Sequence, residues 1–301
     1  MKNNSGRLSL RKRLGLEIAL KIRNNLRELH PLRQLFWECT LQCNLACKHC
    51  GSDCRKMSEQ KDMPAADFLQ VVDSITPHVN PNEVNIIITG GEPLMRDDLE
   101  EVGMALYRKG YPWGIVSNGL YLTRERLDSL MAAGLHAVTI SLDGFAEEHN
   151  WLRGNPDSYE KALEAIKMLV HEPELTWDVV TCVNRKNYSY LEELKAYLYT
   201  IGVRNWRIFY IFPVGRAANH PEFQLTDEEF TGVLEFIKKV RKEGRVHLSY
   251  GCEGFLGKYE SEVRDHFYSC NAGISVASVL ADGSISSCPS IRSNFHQGQY
   301  L

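Results

Sequence analysis

The sequence predicts an α/β fold, a partial (β/α)6 TIM-like barrel followed by a small cysteine-containing domain with a β-hairpin. Between residues 34 and 244, short β-rich runs alternate with helical patterns. Such alternation implies parallel strands joined by crossover helices. Beyond residue 244 the helical periodicity is lost, and Asp282-Gly283 lies between two β-rich runs, which is a strong hairpin signal.

Six strand–helix units account for the predicted barrel. The predicted strands are 35–38, 84–89, 114–117, 137–142, 176–183 and 206–212. The predicted helices are 65–79, 98–109, 124–133, 159–171 and 188–201, and a helix over 225–244 closes the barrel. Cap residues support these bounds: Thr123, Ser158, Asn187 and Thr226 at the starts, Gly110, Gly134 and Gly202 at the ends. Ligand sites in such barrels gather at the C-terminal ends of the strands.

The remaining segments are an N-terminal basic helix (1–33) and the small domain (245–301), on either side of the barrel (34–244). Leucine and isoleucine are interspersed with arginine and lysine between residues 8 and 22, which predicts an amphipathic helix. A helix packed on the barrel with its basic face in solvent is favoured. The alternative is a helix that contacts a membrane surface or an acidic partner.

Composition restricts the class of protein. The 301 residues are 44% hydrophobic and 24% charged, as in ordinary globular proteins, and the net charge of −3 does not favour nucleic acid as a main partner. No apolar run is long enough for a membrane span. Nine cysteines in a chain of this length indicate metal ligation in a reducing cytoplasm rather than a disulfide scaffold.

Cys43, Cys47 and Cys50 form a C-x3-C-x2-C segment, the most informative feature of the chain. Thiolates at this spacing can converge on an iron–sulfur cube, and three of them leave one iron open for another ligand. A structural zinc site is the alternative, and it needs four ligands. Nearby candidates for such a ligand set are His49, Cys39 and Cys54.

A second motif, Gly90-Gly91-Glu92-Pro93, follows the trio by about forty residues and ends a short apolar strand. The two glycines permit close approach of the backbone to a ligand. Glu92 supplies a carboxylate at the strand end, where an ammonium group can bind.

Together the two motifs resemble the signature of the radical S-adenosylmethionine (SAM) enzymes, and the resemblance covers nearly the whole chain after residue 34. It implies that the three cysteines hold a 4Fe–4S cluster, that SAM chelates the open iron, and that Gly90–Pro93 holds the SAM amino group. It also implies reductive cleavage of SAM to a 5′-deoxyadenosyl radical, which takes a hydrogen from the substrate. A reducing partner such as flavodoxin or ferredoxin is expected.

Further strand ends carry candidate SAM ligands. Ser117 and Asn118 follow the third strand, and Ser141 and Asp143 end the fourth; they are candidates for the ribose hydroxyls and the methionine carboxylate. By the resemblance, Arg153 is favoured as the partner of that carboxylate, because a guanidinium matches it bidentately. For each of these residues, the alternative role of forming hydrogen bonds with the backbone of its own turn stays open.

Three other features lie outside these motifs. The segment 213–217 resembles a G-R-A stretch that lies near the adenine in the family. Cys182 is interpreted as a small buried hydrophobic residue. Cys39 and Cys54 receive no role.

The C-terminal cysteines resemble the opening of the SPASM domain, which carries auxiliary iron–sulfur clusters. Cys270, Gly283 and Cys288 have its spacing, and Cys252 is a further candidate ligand. Three thiols cannot complete a four-cysteine site. We therefore expect a C-terminally truncated chain, with a non-cysteine ligand or no auxiliary cluster as alternatives. Pro289 stands where sulfatase-maturing relatives have an acidic base, which argues against formylglycine formation.

The expected function is therefore enzymatic, with hydrogen abstraction from a peptide or protein side chain. Modification of a small metabolite, such as a tetrapyrrole or quinone precursor, is the alternative. A non-catalytic electron-transfer or zinc scaffold is disfavoured, because it would not need Gly90–Pro93 at a strand end.

Overall fold

One ten-stranded sheet organises the protein in a computed structural model that describes residues 9–251, 254–288 and 298–299. The strands are β1 (Gln34–Glu38), β2 (Asn85–Thr89), β3 (Trp113–Ser117), β4 (Leu135–Ser141), β5 (Thr176–Val183), β6 (Asn205–Tyr210), β7 (His247–Tyr250), β8 (Val276–Val279), β9 (Ser284–Ser286) and β10 (Gly298–Gln299). Their order is β10-β9-β8-β1-β2-β3-β4-β5-β6-β7. Strands β1 to β8 pair in parallel, while β9 is antiparallel to both β8 and β10.

Eight α-helices accompany the sheet in the described part of the chain. They are α1 (Leu10–Leu29), α2 (Ala65–Ile75), α3 (Leu99–Arg108), α4 (Arg124–Ala132), α5 (Ala146–Arg153), α6 (Ser158–Leu169), α7 (Leu191–Thr200) and α8 (Asp227–Glu243). Among the described strands, β7 and β10 are the free edges, so the sheet is not closed into a barrel.

The core lies between the sheet and its crossover helices. Trp206 and Ile208 of β6 are fully buried, whereas Arg207 and Phe209 between them are only half-buried. This alternation shows that helices cover one face of the strand. The Trp37 ring of β1 stacks on Phe68 of α2 with centroids 4.1 Å apart.

The predicted α/β architecture is confirmed, and the six predicted strands agree with the structure to within two residues at each end. Thr123 caps α4, and Thr226 forms a reciprocal capping box with Glu229 at the start of α8. The prediction for Ser158 was wrong, because Asp157 is the N-cap of α6 and the Ser158 hydroxyl bonds His149. Helix α5 was not predicted.

The sheet continues across residue 245, where sequence patterns suggested a second domain. Strand β7 extends it beyond β6, and β8 joins its other side through β1. The predicted hairpin is confirmed, with Gly283 at a φ of +80° between β8 and β9. The domain division itself stays a prediction, and Cys252 and Pro289 lie outside the described residues.

Helix α1 forms where predicted, with the Ser9 hydroxyl accepting from the Lys12 backbone N–H. None of its residues is buried, but one side of the helix is half-buried against the protein, and Lys12 on that side pairs with Glu262. Packing of α1 on the barrel itself stays a prediction. Within the described ranges, we find no helix that combines the length and the apolar character needed to cross a bilayer.

Candidate functional site

The segment that follows β1 carries the three predicted cluster cysteines in a closed loop. Cys43 and Cys47 are buried and Cys50 is half-buried. At the base of the loop, the Cys43 N–H donates to the Arg55 carbonyl at 2.8 Å, and the Arg55 N–H donates to Leu41. These bonds fix the two ends of a fifteen-residue stretch against each other, so the thiols are presented by an ordered backbone.

The two glycines after β2 hold this loop against the sheet. The Gly91 N–H donates to the Thr40 carbonyl at 2.7 Å, and the Glu92 N–H donates to Gln42 at 2.9 Å. A Cβ on Gly91 would lie 1.9 Å from the Gln42 oxygen, and one on Gly90 would lie 2.3 Å from the Thr40 oxygen. Gly90 also has a φ of +131°. Only glycine permits this approach.

Glu92 lies beneath the loop as a fully buried carboxylate. Its Oε1 accepts from the Ser117 hydroxyl at 2.8 Å and the Leu94 N–H at 3.1 Å, and its Oε2 accepts from the Asn118 N–H at 2.8 Å. A carboxylate has about four acceptor positions, so one is left. Burial raises the pKa of Glu92 to about 6 despite these hydrogen bonds. Within the described residues it forms no ion pair.

Asn118 links the carboxylate to the cysteine loop. Its side-chain Nδ2 donates to Asn44 Oδ1 at 2.7 Å and lies 3.9 Å from Cys43 Sγ. Because its backbone N–H binds Glu92, one residue connects the predicted cluster ligand and the predicted ammonium site.

Asp143 and Arg153 form a buried ion pair on the other side of the loop. Arg153 Nε donates to Asp143 Oδ2 at 2.6 Å, and its Nη1 lies 3.8 Å from Cys47 Sγ. The second Asp143 oxygen accepts from the Cys182 N–H at 2.9 Å. Burial opposes ionisation of Asp143, but the nearby Arg153 and histidines outweigh it and hold the pKa at about 2. Both predicted SAM ligands thus bind each other.

His149 supports this pair from α5. Its Nδ1 accepts from the Asp143 N–H at 3.0 Å, and its Nε2 lies 2.9 Å from the Ser158 hydroxyl. Burial lowers the pKa of His149 to about 4, so the ring is neutral at physiological pH. The predicted site residue Ser141 ends β4 half-buried.

Arg216 binds the cysteine loop from the segment after β6. Its side chain donates to the carbonyls of Cys47 (2.7 Å) and Cys54 (2.8 Å) and to the Asp53 carboxylate (2.8 Å). Its backbone N–H donates to the Cys50 carbonyl at 3.0 Å. From the sequence, segment 213–217 was predicted to lie near the adenine of SAM, because it resembles a stretch of the family. The sequence gave no indication that Arg216 contacts the cysteine loop.

Cys54 and Cys182 also belong to this region. The buried Cys54 thiol donates a hydrogen bond to Cys50, which is the main reason that the pKa of Cys50 is lowered to about 6. Cys182 is half-buried, and its Sγ lies within 4.8 Å of ligand atoms of His49 and Asp143. The structure agrees with the interpretation of Cys182 as a small hydrophobic residue in so far as it packs against a core cluster with Leu152 and Phe223, but it is half-buried rather than buried. The buried Cys39 stays without a role.

The two described C-terminal cysteines differ in position. Cys288 lines a cavity of about 30 Å³ together with Glu38, Thr89 and Gly90, at the edge of the site. Cys270 is exposed. The auxiliary-cluster assignment stays a prediction.

The residues present fit an iron–sulfur cluster. Three thiols lie on one loop that is fixed at its base and by Arg216, and thiolates are the ligands such clusters require. In addition, His49 Nδ1 and Asn44 Nδ2 are buried without a hydrogen-bond partner in the described structure. Buried polar atoms are normally satisfied, so these two indicate that the loop encloses a further group.

Comparisons with known proteins identify the family. A family model described as "Radical SAM superfamily" matches residues 37–198. The chain is 31% identical to an AdoMet-dependent heme synthase of Oleidesulfovibrio alaskensis, over 73% of this chain and 56% of the relative. It is 30% identical to the mycofactocin maturase MftC of Mycolicibacterium smegmatis, over 89% of this chain and 67% of the relative.

A solved structure shows the same fold. SuiB of Streptococcus suis bound to S-adenosylmethionine superposes with a TM-score of 0.69 at 15% identity, covering 97% of this chain and 69% of SuiB. The chain spans slightly more than half the length of the curated heme synthase it matches, 56%. The family match implies a 4Fe–4S cluster and SAM as cofactors. The chain belongs to the radical SAM superfamily of enzymes.

Proposed function

We propose that Cys43, Cys47 and Cys50 hold a 4Fe–4S cluster, that SAM binds between this cluster and Glu92, and that the protein abstracts a hydrogen atom from its substrate. When bound, the cluster supplies the electron that cleaves SAM and so generates the hydrogen-abstracting group. The chain's own residues supply orientation, charge and exclusion of water.

This proposal rests mainly on the environment of Glu92. It is a buried carboxylate with one acceptor position left and no ion-pair partner among the described residues. A buried charge is costly unless it is paired, so the site favours a cationic ligand group such as the SAM ammonium. Asn118 holds Glu92 at a fixed position relative to Cys43, which would bring that ammonium next to the cluster.

The other polar strand ends would complete the SAM site. Arg153 keeps Nη2 without a hydrogen-bond partner in the described structure while Asp143 fixes Nε, so the guanidinium is oriented and retains one donor edge for the SAM carboxylate. Ser141 is a candidate for the ribose. Ser117 acts through Glu92, whose carboxylate it orients.

SAM affinity of the Glu92→Gln variant tests the proposal. Loss of one charge-assisted hydrogen bond should weaken binding by about 1.5–3 kcal/mol, roughly 10- to 150-fold by equilibrium dialysis. Glu260→Gln, which changes an equally buried carboxylate far along the chain, should leave the affinity unchanged. Equal affinities for wild type and Glu92→Gln would exclude Glu92 from the site.

The pH dependence gives a second readout of the same residue. Glu92 must be ionised to pair with an ammonium, and its pKa in the free protein is about 6. The affinity for SAM should therefore be constant above about pH 6 and decrease as the pH falls below this value. This dependence should be absent in Glu92→Gln.

A peptide or protein side chain is the substrate we propose. The match to the maturase MftC covers 89% of this chain, against 73% for the heme synthase, and SuiB, which has the same fold, has been solved bound to a precursor peptide. A tetrapyrrole is the second candidate, because the curated relatives include heme synthases and an Fe-coproporphyrin III synthase.

Deuterium transfer to 5′-deoxyadenosine can separate the two substrate classes. The reduced protein is incubated with SAM and a deuterium-labelled extract, before and after protease treatment. If deuterium no longer appears in 5′-deoxyadenosine once the extract has been treated with protease, the substrate is a polypeptide. Label that survives proteolysis and is competed by iron coproporphyrin supports a tetrapyrrole.

A further inference from the structure

Helix α1 carries a stripe of apolar side chains that face solvent. Leu10, Leu14, Ile18 and Ile22 follow one another at intervals of four residues and are 72%, 57%, 59% and 55% exposed. Leu29 continues the stripe at 67%. Six of the thirteen exposed large hydrophobic residues in the described structure lie on this single helix. We call the five residues named above the α1 stripe.

The helix contacts the rest of the protein through its opposite side. Lys12 Nζ pairs with Glu262 at 2.7 Å and donates to the Lys258 carbonyl at 2.8 Å. The Gly15 backbone approaches the Phe267 ring so closely that a Cβ would lie 2.9 Å from it. At 100° per residue, Ala19 and Arg23, both half-buried, lie on the same side as Lys12. The stripe is therefore not the surface that docks α1 on the protein.

The net charge of α1 indicates which kind of surface covers the α1 stripe. The helix has six basic residues (Arg11, Lys12, Arg13, Lys21, Arg23 and Arg27) and two acidic ones (Glu17 and Glu28). Its formal charge is thus +4, and the rest of the chain, with −3 overall, carries −7. Two copies of α1 would repel each other, whereas an anionic surface attracts the helix.

We propose that α1 lies in the plane of an anionic lipid surface and inserts the α1 stripe among the lipids. Helices that combine an apolar face with many basic residues bind bilayers in this way, by burial of the apolar face and attraction to anionic headgroups. The remainder of the chain, with its net charge of −7, is repelled by the same surface, so the helix is the part that approaches the membrane.

Vesicle co-sedimentation of the full chain tests this proposal. The protein should bind vesicles of phosphatidylcholine with 30% phosphatidylglycerol, bind much less to pure phosphatidylcholine, and dissociate at high salt. Ile18→Asp should weaken binding about tenfold or more, since it removes a stripe residue and adds repulsion. Leu20→Asp is the matched control: Leu20 is 47% exposed but lies two residues from Ile18, on the other side of the helix, so binding should fall much less.

Both substitutions are at exposed positions, so the circular dichroism spectrum and melting temperature should stay those of the wild type. The proposal is overturned if the two variants lose binding equally, or if pure phosphatidylcholine binds as well as the anionic vesicles. It is also overturned if the protein binds no vesicles and instead forms a dimer by light scattering that Ile18→Asp abolishes. That outcome would identify a second copy as the partner of the stripe.

Discussion

The Arg216→Ala variant should loosen the cysteine loop without unfolding the protein. The side chain makes two charge-assisted hydrogen bonds to loop carbonyls, at Cys47 and Cys54, each worth about 1.5–3 kcal/mol. Its third bond, to the largely exposed Asp53, adds little. Arg216 is itself partly exposed, so we take the lower end, about 3 kcal/mol for local opening of the loop. This corresponds to a roughly 100-fold faster exchange of the protected loop amides.

Hydrogen exchange of the cluster-free protein measures this effect directly, with the Cys43 amide, which donates to the Arg55 carbonyl, as the reporter. After reconstitution, the same variant should release iron to a chelator faster. Arg55→Ala is the control, because it removes only the other, exposed partner of Asp53 and should leave loop exchange unchanged. If Arg216→Ala also leaves it unchanged, Arg216 does not stabilise the loop.

Two further substitutions test the close approach and the buried ring. In thermal or urea unfolding, Gly91→Ala should destabilise the protein by about 1–3 kcal/mol or prevent folding, since its Cβ would meet the Gln42 carbonyl oxygen. Gly244→Ala is the control: no atom lies near its Cβ, so it should cost only about 1 kcal/mol. His149 has a lower pKa in the folded protein, about 4, than when unfolded, so its contribution is complete above pH 6.5 and is lost as the pH falls from 6.5 towards 4. His149→Gln should therefore flatten the pH dependence of stability in that range, and an unchanged slope would contradict the assignment.

The sequence predicted those parts of the fold that depend on local signals. Strand and helix bounds follow hydrophobic periodicity and caps, and Thr226 and Gly244 define the ends of α8 as they should. Helix α5 was not predicted because its eight residues form only about two turns, too few for a clear helical periodicity. The joining of β8 to β1 was missed because strand pairing between residues some 240 positions apart leaves no local pattern.

The candidate site likewise has a part that the sequence predicts and a part that it does not. Cys43, Cys47, Cys50 and the Gly90–Pro93 motif could be proposed from the sequence because their spacing is visible in the chain. The contacts of Arg216 with Cys47 and Cys54 join residues more than 160 positions apart, so spacing alone could not indicate them. Asp143 and Arg153 were each predicted to bind SAM, and their mutual ion pair became visible only when α5 packed beside β4.

Cleavage of SAM by the reconstituted protein tests the central claim most directly. With dithionite and SAM under anaerobic conditions, the wild type should hold about four irons at the Cys43–Cys50 loop and yield 5′-deoxyadenosine and methionine. Cys47→Ala should lose both the iron and the product, while Cys54→Ala should keep the cluster, since it removes a hydrogen bond rather than a ligand. Stoichiometric zinc with no iron site, or equal product from Cys47→Ala, would contradict the account.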